Sequence, residues 1–381
     1  MRTIPQCDPH ASYMAQRQLI DEAIQRVLSG GRYILGPEVA AFEKEFAAFV
    51  GASHALGVAN GTDALALALR AAGVGPGDVV LTVSHTAVAT TVAIRSIGAS
   101  PLFVDVDPCH GLMDPAQLEQ VLDKAKQTDT PARYSRIRAI VPVHLYGRCA
   151  DMPAICRIAD AHGLLVVEDC AQAHGAVVGG RPAGTWGSCS SFSFYPTKNL
   201  GAFGDAGAIT TMDAELLERA RLLREYGWQT RYVSAIEGSN SRLDEIHAAV
   251  LRVKLTRLAE GNARRAELAS IYRTRLHQPS VLIPPASDPH QHVYHQFVLR
   301  SPARNELQRY LADQGIGTLV HYPCPVHLQP AYASLGFVPL PLPCTEAWSE
   351  QVLSLPMFPE LDPVDAEWVA DAVNAWQPRA R

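Results

Sequence analysis

The 381-residue chain carries 33 basic and 38 acidic residues, a formal charge of −5 with histidine neutral, and is 48% hydrophobic. That composition excludes a disordered chain, and the length suits two domains with well-filled cores. Five of the basic residues are lysines (Lys44, Lys124, Lys126, Lys198, Lys254), and an acidic, lysine-poor chain lacks the basic stripe that nucleic-acid binding requires.

In chain order, the N-terminal residues lack the apolar run of a secretory signal. NGTDALALALR (60–70) predicts a helix. Strands are expected at 79–84, 101–106, 139–145 and 164–169, separated by amphipathic helices around 86–98, 115–126 and 151–162. Residues 182–197 are uncharged but too polar to span a bilayer, and they contain a further strand at 189–194, followed by one at 206–211. Near-continuous apolar strands alternating with helices predict an α/β fold, a mostly parallel sheet covered on both faces, with ligands at the strands' carboxyl ends. Helices at 213–226 and 243–273 follow, the second long enough to connect domains. Beyond 277 the chain turns proline-rich, with a strand at 295–300 and helices at 303–314 and 363–376. The expected organisation is a large domain (1–245), a connecting helix (246–276) and a smaller α+β domain (277–381).

Eight cysteines without a CxxC pair suit a reducing compartment, so a cytoplasmic protein is expected. His290, His292 and His295 lack a cysteine or carboxylate at ligand spacing and read as a loop entering a strand, so no metal is expected.

Three local patterns carry chemistry. Lys198 is the one charged residue between Arg181 and Asp205. A lone ammonium in an apolar, glycine-flanked segment is costly unless paired or lowered in pKa, and a lowered pKa is what a lysine that attacks a carbonyl needs. A lysine snorkelling from a loop is the alternative. Asp169 ends the strand LLVVED and emerges at the carboxyl edge, whereas Glu168 points to the opposite face. A protonated pyridine nitrogen would be a permanent partner for Asp169; capping the next helix is the alternative. Gln172, three residues on, is placed to bond a ring oxygen. Gly61 and Thr62 occupy the N-cap position of an apolar-periodic helix, where free amides and a hydroxyl bind a phosphate or simply cap the helix. Asp63 would repel a phosphate and is expected to turn toward substrate or another loop. Together the three describe a site for pyridoxal 5′-phosphate.

With these residues in place, the chain resembles the DegT/DnrJ/EryC1/StrS group of nucleotide-sugar aminotransferases, which have the aspartate aminotransferase-like (type I) fold. The blocks carrying the resemblance run from GGRYILGPEVAAFEKEFAAFVGA through NGTDALALAL, PVHLYGRCADM, VVEDCAQAHGA, FSFYPTKNLGAFGDAGAITT and GSNSRLDEIHAAVLRVKL to HYPCPVHLQPAY and LSLPMFPEL. The resemblance implies that Lys198 forms the Schiff base with the cofactor and that Asp169 pairs with its ring nitrogen. Gln172 falls on the ring-hydroxyl contact, and Ser193, Gly61 and Thr62 on phosphate contacts. Asn240 matches a residue reaching the neighbouring subunit's cofactor phosphate, and Arg242 one that holds the amino donor's carboxylate. A homodimer with shared sites follows, with glutamate as donor and ping-pong kinetics.

Ala87 departs from the family, many of whose members stack an aromatic residue on the pyridine at this position. His85 or Val88 is left to cover the ring, or the stacking is reduced, and His85 is equally readable as a substrate contact or a loop histidine. Relatives that act as dehydratases have histidine in place of the lysine, and Lys198 argues against that branch. Asp63 after the Gly-Thr pair resembles members acting on 3-keto sugars, so a dTDP-linked 3-keto-6-deoxyhexose is the expected substrate. His321 and Tyr322 are readable as sugar or diphosphate contacts or as packing at the domain junction. A 4-keto-sugar or aminocyclitol aminotransferase is the alternative within the family. A silent sensor or scaffold is the alternative outside it, and the retention of Lys198, Asp169, Gln172 and Ser193 together disfavours that reading.

Overall fold

The computed structural model describes residues 3–127, 136–286 and 291–378. His290 therefore lies outside the described residues. Three helices open the chain: α1 (Pro9–Met14), α2 (Arg17–Gly30) and α3 (Pro37–Val50). There follow β1 (His54–Val58), α4 (Gly61–Ala71), β2 (Val79–Val83), α5 (Val88–Ser96), β3 (Ser100–Val104), α6 (Pro115–Gln127) and β4 (Ile137–Ile140). The large sheet is completed by α7 (Met152–His162), β5 (Leu165–Asp169), β6 (Cys189–Ser193) and β7 (Gly207–Thr211).

These seven strands form one sheet in the order β1-β7-β6-β5-β4-β2-β3. β7 alone runs against its neighbours, pairing antiparallel with both β6 and β1. The other pairings are parallel, as the apolar strands alternating with helices predict. Within this sheet, β1 is the strand that periodicity missed, because HALGV is short and interrupted by Gly57. That glycine permits close packing: a Cβ there would lie 2.8 Å from the Leu243 side chain.

Beyond the sheet come α8 (Ala214–Arg224), a short hairpin (Trp228–Thr230 with Val233–Ser234), α9 (Glu245–Leu255) and α10 (Leu258–Arg275). The single long connecting helix expected over 243–273 is thus two helices, broken where the Arg257 amide bonds back to Lys254 O in a tight turn. The buried Glu245 carboxylate accepts the amides of Gly36, Glu38 and Val39 and so caps the start of α3. The C-terminal part contains β8 (Phe297–Arg300), α11 (Arg304–Asp313), α12 (Pro343–Gln351), β9 (Val352–Leu355) and α13 (Pro363–Ala375). β8 and β9 pair antiparallel over a core of α10, α11 and α13 side chains, including Leu268, Leu311 and Val369. Ile4, from the other end of the sequence, is buried in that same core. No helix among the described residues is long and apolar enough to cross a membrane.

Candidate active site

The carboxyl ends of β1, β2, β5 and β6 converge on a cavity of about 540 Å³. Its lining includes Gly61, Thr62 and Asp63 at the start of α4, Asp169 and Gln172 beyond β5, Ser193 at the end of β6, and Lys198 in the following loop. Seven residues singled out from three separate stretches of sequence therefore meet in one place.

Asn60, not Gly61 or Thr62, is the N-cap: its side chain accepts the Asp63 amide at 2.8 Å. Gly61 and Thr62 are the first two helical residues, whose amides have no intrahelical acceptor and form the anion-attracting end of the helix. Gly61 is required by packing, since a Cβ there would sit 2.5 Å from Ser193 Cβ. Helix terminus and Ser193 hydroxyl are thereby held together. The Asp63 carboxylate turns away to accept a hydrogen bond from Ser241 Oγ at 2.6 Å. Ser241 also bonds the Ala59 amide, so it joins the 238–242 segment to the mouth of the cavity.

At the end of β5 the two acids separate as the period of a strand demands. Glu168 faces away from the cavity and accepts the amides of Gly184, Trp186 and Gly187 and the ring of His144. His144, Glu168 and Cys170 have ligand atoms within 4.8 Å of one another, but four protein donors already occupy the Glu168 oxygens. Asp169 faces the cavity. One of its oxygens accepts the Ala171 amide (3.2 Å), and the other accepts the Thr90 hydroxyl (2.8 Å).

Lys198 lies across the cavity in a loop pinned on both sides. The Asn199 amide bonds Asn262 Oδ1 and Val293 O, and Lys254 Nζ donates to Gly201 O at 2.6 Å. Burial pulls the Lys198 amine down to about 8, against the opposing charge of Asp169. A neutral amine is thus accessible near physiological pH, as carbonyl chemistry requires. Lys254, although it lies in a helix, is buried too: it stacks over Phe203 and is likewise lowered to about 8 by burial. Its ammonium is committed to the Gly201 carbonyl rather than to the cavity.

Gln172 has a fixed polarity. Its Oε1 accepts the Tyr146 amide at 2.6 Å and its Nε2 donates to Tyr322 Oη at 3.2 Å, leaving a second amide proton for a ring oxygen. His85, expected as a cofactor contact, is placed elsewhere. Its buried ring bonds Tyr146 Oη and Ser349 Oγ, and it does not line the cavity, whereas Ala87 does. Burial holds its imidazole down to about 3 and so neutral. Val88, the other candidate to cover the ring, is exposed and also absent from the lining.

His321 and Tyr322 stand behind Gln172 rather than in the lining. Tyr146 Oη donates to His321 O, and the His321 ring bonds Ser354 Oγ. Asn240 is exposed and Arg242 half-buried, and neither lines the cavity of its own chain. Sequence reasoning missed Thr90, Tyr146 and Ser241, each of which orients a residue that it found.

The donors present fit pyridoxal 5′-phosphate: a helix terminus with two hydroxyls for the phosphate, a carboxylate for the ring nitrogen, an amide for the ring oxygen and an amine for the aldehyde. Sheet order and site together define a pyridoxal-type transferase of fold type I. The profile of the DegT/DnrJ/EryC1/StrS aminotransferase family matches residues 15–374, and the chain belongs to this family. It is 48% identical over 380 residues to a dTDP-3-amino-3,4,6-trideoxy-alpha-D-glucose transaminase of Streptomyces venezuelae, covering 99% of this chain and 97% of that one. A dTDP-3-amino-3,6-dideoxy-alpha-D-galactopyranose transaminase of Aneurinibacillus thermoaerophilus is 44% identical, with 98% and 99% covered. The crystal structure of S. venezuelae DesV in complex with a ketimine intermediate superposes with a TM-score of 0.93 at 47% identity, covering all of both chains.

Proposed function

We propose that the protein is a pyridoxal 5′-phosphate-dependent aminotransferase that moves an amino group from glutamate to a dTDP-linked 3-keto-6-deoxyhexose. The observation that carries this is the meeting of Lys198 and Asp169 in one cavity with the α4 terminus, in a chain whose relatives include transaminases of dTDP-3-amino sugars.

The cofactor, when bound, supplies a carbonyl that amines capture and a ring that takes up the electrons of a broken C–H bond. Every other task falls to the chain. Ser193 Oγ, Thr62 and the α4 terminus anchor the phosphate. The Asp169 carboxylate holds a proton on the ring nitrogen. Gln172 Nε2 donates to the ring oxygen. Lys198 Nζ, neutral when released, would take the proton from the donor's α-carbon and pass it to the carbonyl carbon of the cofactor, and in the second half-reaction would carry a proton back from there to the sugar carbon that receives nitrogen. Asn240 and Arg242 serve the site of the other subunit in a homodimer: their placement outside their own cavity supports that reading, as does their position beyond the 228–234 hairpin.

The test is incubation of the cofactor-loaded enzyme with glutamate and dTDP-3-keto-6-deoxyglucose, followed by NMR of the isolated sugar nucleotide. Nitrogen at C3 and stoichiometric 2-oxoglutarate are expected. Turnover of only the 4-keto isomer would replace the substrate assignment, and turnover of neither would remove it.

A further inference from the structure

Resting on the role of Asp169 given above, we infer that Thr90 is a positioning residue of the reaction. Its hydroxyl fixes the Asp169 carboxylate in the orientation that keeps a proton on the pyridine nitrogen. Thr90 is the third residue of α5, and it and Asp169 are both buried while lining the cavity. A helical threonine commonly turns its hydroxyl back to a carbonyl of the preceding turn. Here the hydroxyl instead crosses 79 positions of sequence to Asp169 Oδ2, at 2.8 Å.

An ionised carboxylate only accepts, so the single hydroxyl proton of Thr90 is spent on Asp169. The direction of the next bond follows: Thr86 Oγ1, 3.2 Å away, donates to Thr90 Oγ1. The relay runs from Thr86 through Thr90 to Asp169 Oδ2, while the Ala171 amide holds Oδ1 at 3.2 Å. With a donor on each oxygen, rotation of the carboxylate is blocked and one face of it is presented to the ring.

The fixed carboxylate offers its charge to the ring nitrogen from one direction. Without Thr90 the carboxylate turns freely, and its hold on the ring proton weakens. The ring then withdraws fewer electrons when the C–H bond breaks. Thr91 is a built-in control: it is buried next to Thr90, and its hydroxyl has no hydrogen-bond partner among the described residues.

The experiment compares Thr90→Val, Thr90→Ala, Thr90→Ser, Thr91→Val and Asp169→Ala, each loaded with pyridoxal 5′-phosphate. The visible band of the lysine-bound cofactor is titrated with pH, and kcat and KM for glutamate are measured. A ring nitrogen that loses its proton leaves the Schiff-base nitrogen more basic, so Thr90→Val and Thr90→Ala shift the midpoint upward by about one unit. They lower kcat about tenfold with KM changed less than about twofold. Thr90→Ser and Thr91→Val keep the wild-type midpoint. An unmoved midpoint and kcat in Thr90→Ala or Thr90→Val, or an equal shift in Thr90→Ser, overturns the inference while an inactive Asp169→Ala leaves the site reading intact. Near-normal turnover of Asp169→Ala overturns that reading itself. Should Thr90→Val not fold, Thr90→Ala decides the matter.

Discussion

Gly61→Ala tests whether the helix terminus and the strand-end hydroxyl act as one phosphate site. The added Cβ would lie 2.5 Å from Ser193 Cβ and 3.1 Å from both Ser193 Cα and Oγ. Carbon atoms rest at about 3.5–4.0 Å, so roughly 1 Å must open between α4 and β6. Overpacking of this kind costs about 1–3 kcal/mol. The opposing gain in helix propensity, about 1 kcal/mol in a helix interior, is smaller at a first helical residue. A net loss of roughly 1–2 kcal/mol in the apo-protein follows from these two terms. The cofactor loses more. A 1 Å separation of Thr62 from Ser193 Oγ weakens at least one charge-assisted hydrogen bond, worth about 1.5–3 kcal/mol, or tenfold or more in affinity. The assay is urea denaturation of apo-protein together with titration by pyridoxal 5′-phosphate, in wild type, Gly61→Ala, Ser193→Gly and the double variant. Removing Ser193 Cβ should relieve the overlap, so the cycle should show a coupling of about 1 kcal/mol in apo stability. Cofactor affinity should stay weak in the double variant, which still lacks the hydroxyl. Additive stabilities, or a Gly61→Ala protein that binds cofactor like wild type, would refute the reasoning.

Because burial brings the Lys198 amine down to about 8 from 10.5, cofactor capture by apo-protein should accelerate with rising pH and level off above about pH 8. Stopped-flow absorbance measures this, and a rate still climbing to pH 10 would contradict it. Mixing Lys198→Ala and Asn240→Ala chains should restore activity to one site in each mixed dimer, read as up to a quarter of wild-type turnover for random statistical pairing. No gain over the separate variants would remove the shared site. Glu168→Gln should destabilise the apo-protein by about 2–4 kcal/mol, since an amide nitrogen would face donors that now point at a carboxylate oxygen. An unchanged urea midpoint would show those bonds to be of no consequence.

Asp169 and Lys198 were legible because each breaks a local pattern: an acid ending an apolar strand, and a lone charge in an uncharged stretch. The parallel sheet was legible for the same kind of reason, since strand and helix periods are local. What orients these residues was not. Thr90 lies within AVATTVAI and looks like its neighbour Thr91, yet one hydroxyl meets a carboxylate at the end of β5 and the other meets no hydrogen-bond partner among the described residues. Lys254 sits in an ordinary helical pattern, and the Gly201 carbonyl and Phe203 ring that meet its ammonium arrive from a separate loop. His85 misled because, with alanine at position 87, the family resemblance left it as a candidate to cover the ring. Its ring is instead absorbed by Tyr146 and Ser349, 61 and 264 positions away.

The adjacency of Glu168 and Asp169 constrains how this strand can change over evolutionary time. One acid serves the 184–187 loop and the other serves the cavity, and only the alternation of β5 keeps them apart. Deleting or inserting one residue upstream in Leu165–Val167 would turn each acid to the other's face. The loop would lose its anchor and the cavity would receive the wrong side chain in the same event. Residues 165–167 are therefore open to exchange among apolar types but closed to any change in length, whereas loops elsewhere on the sheet face no such rule.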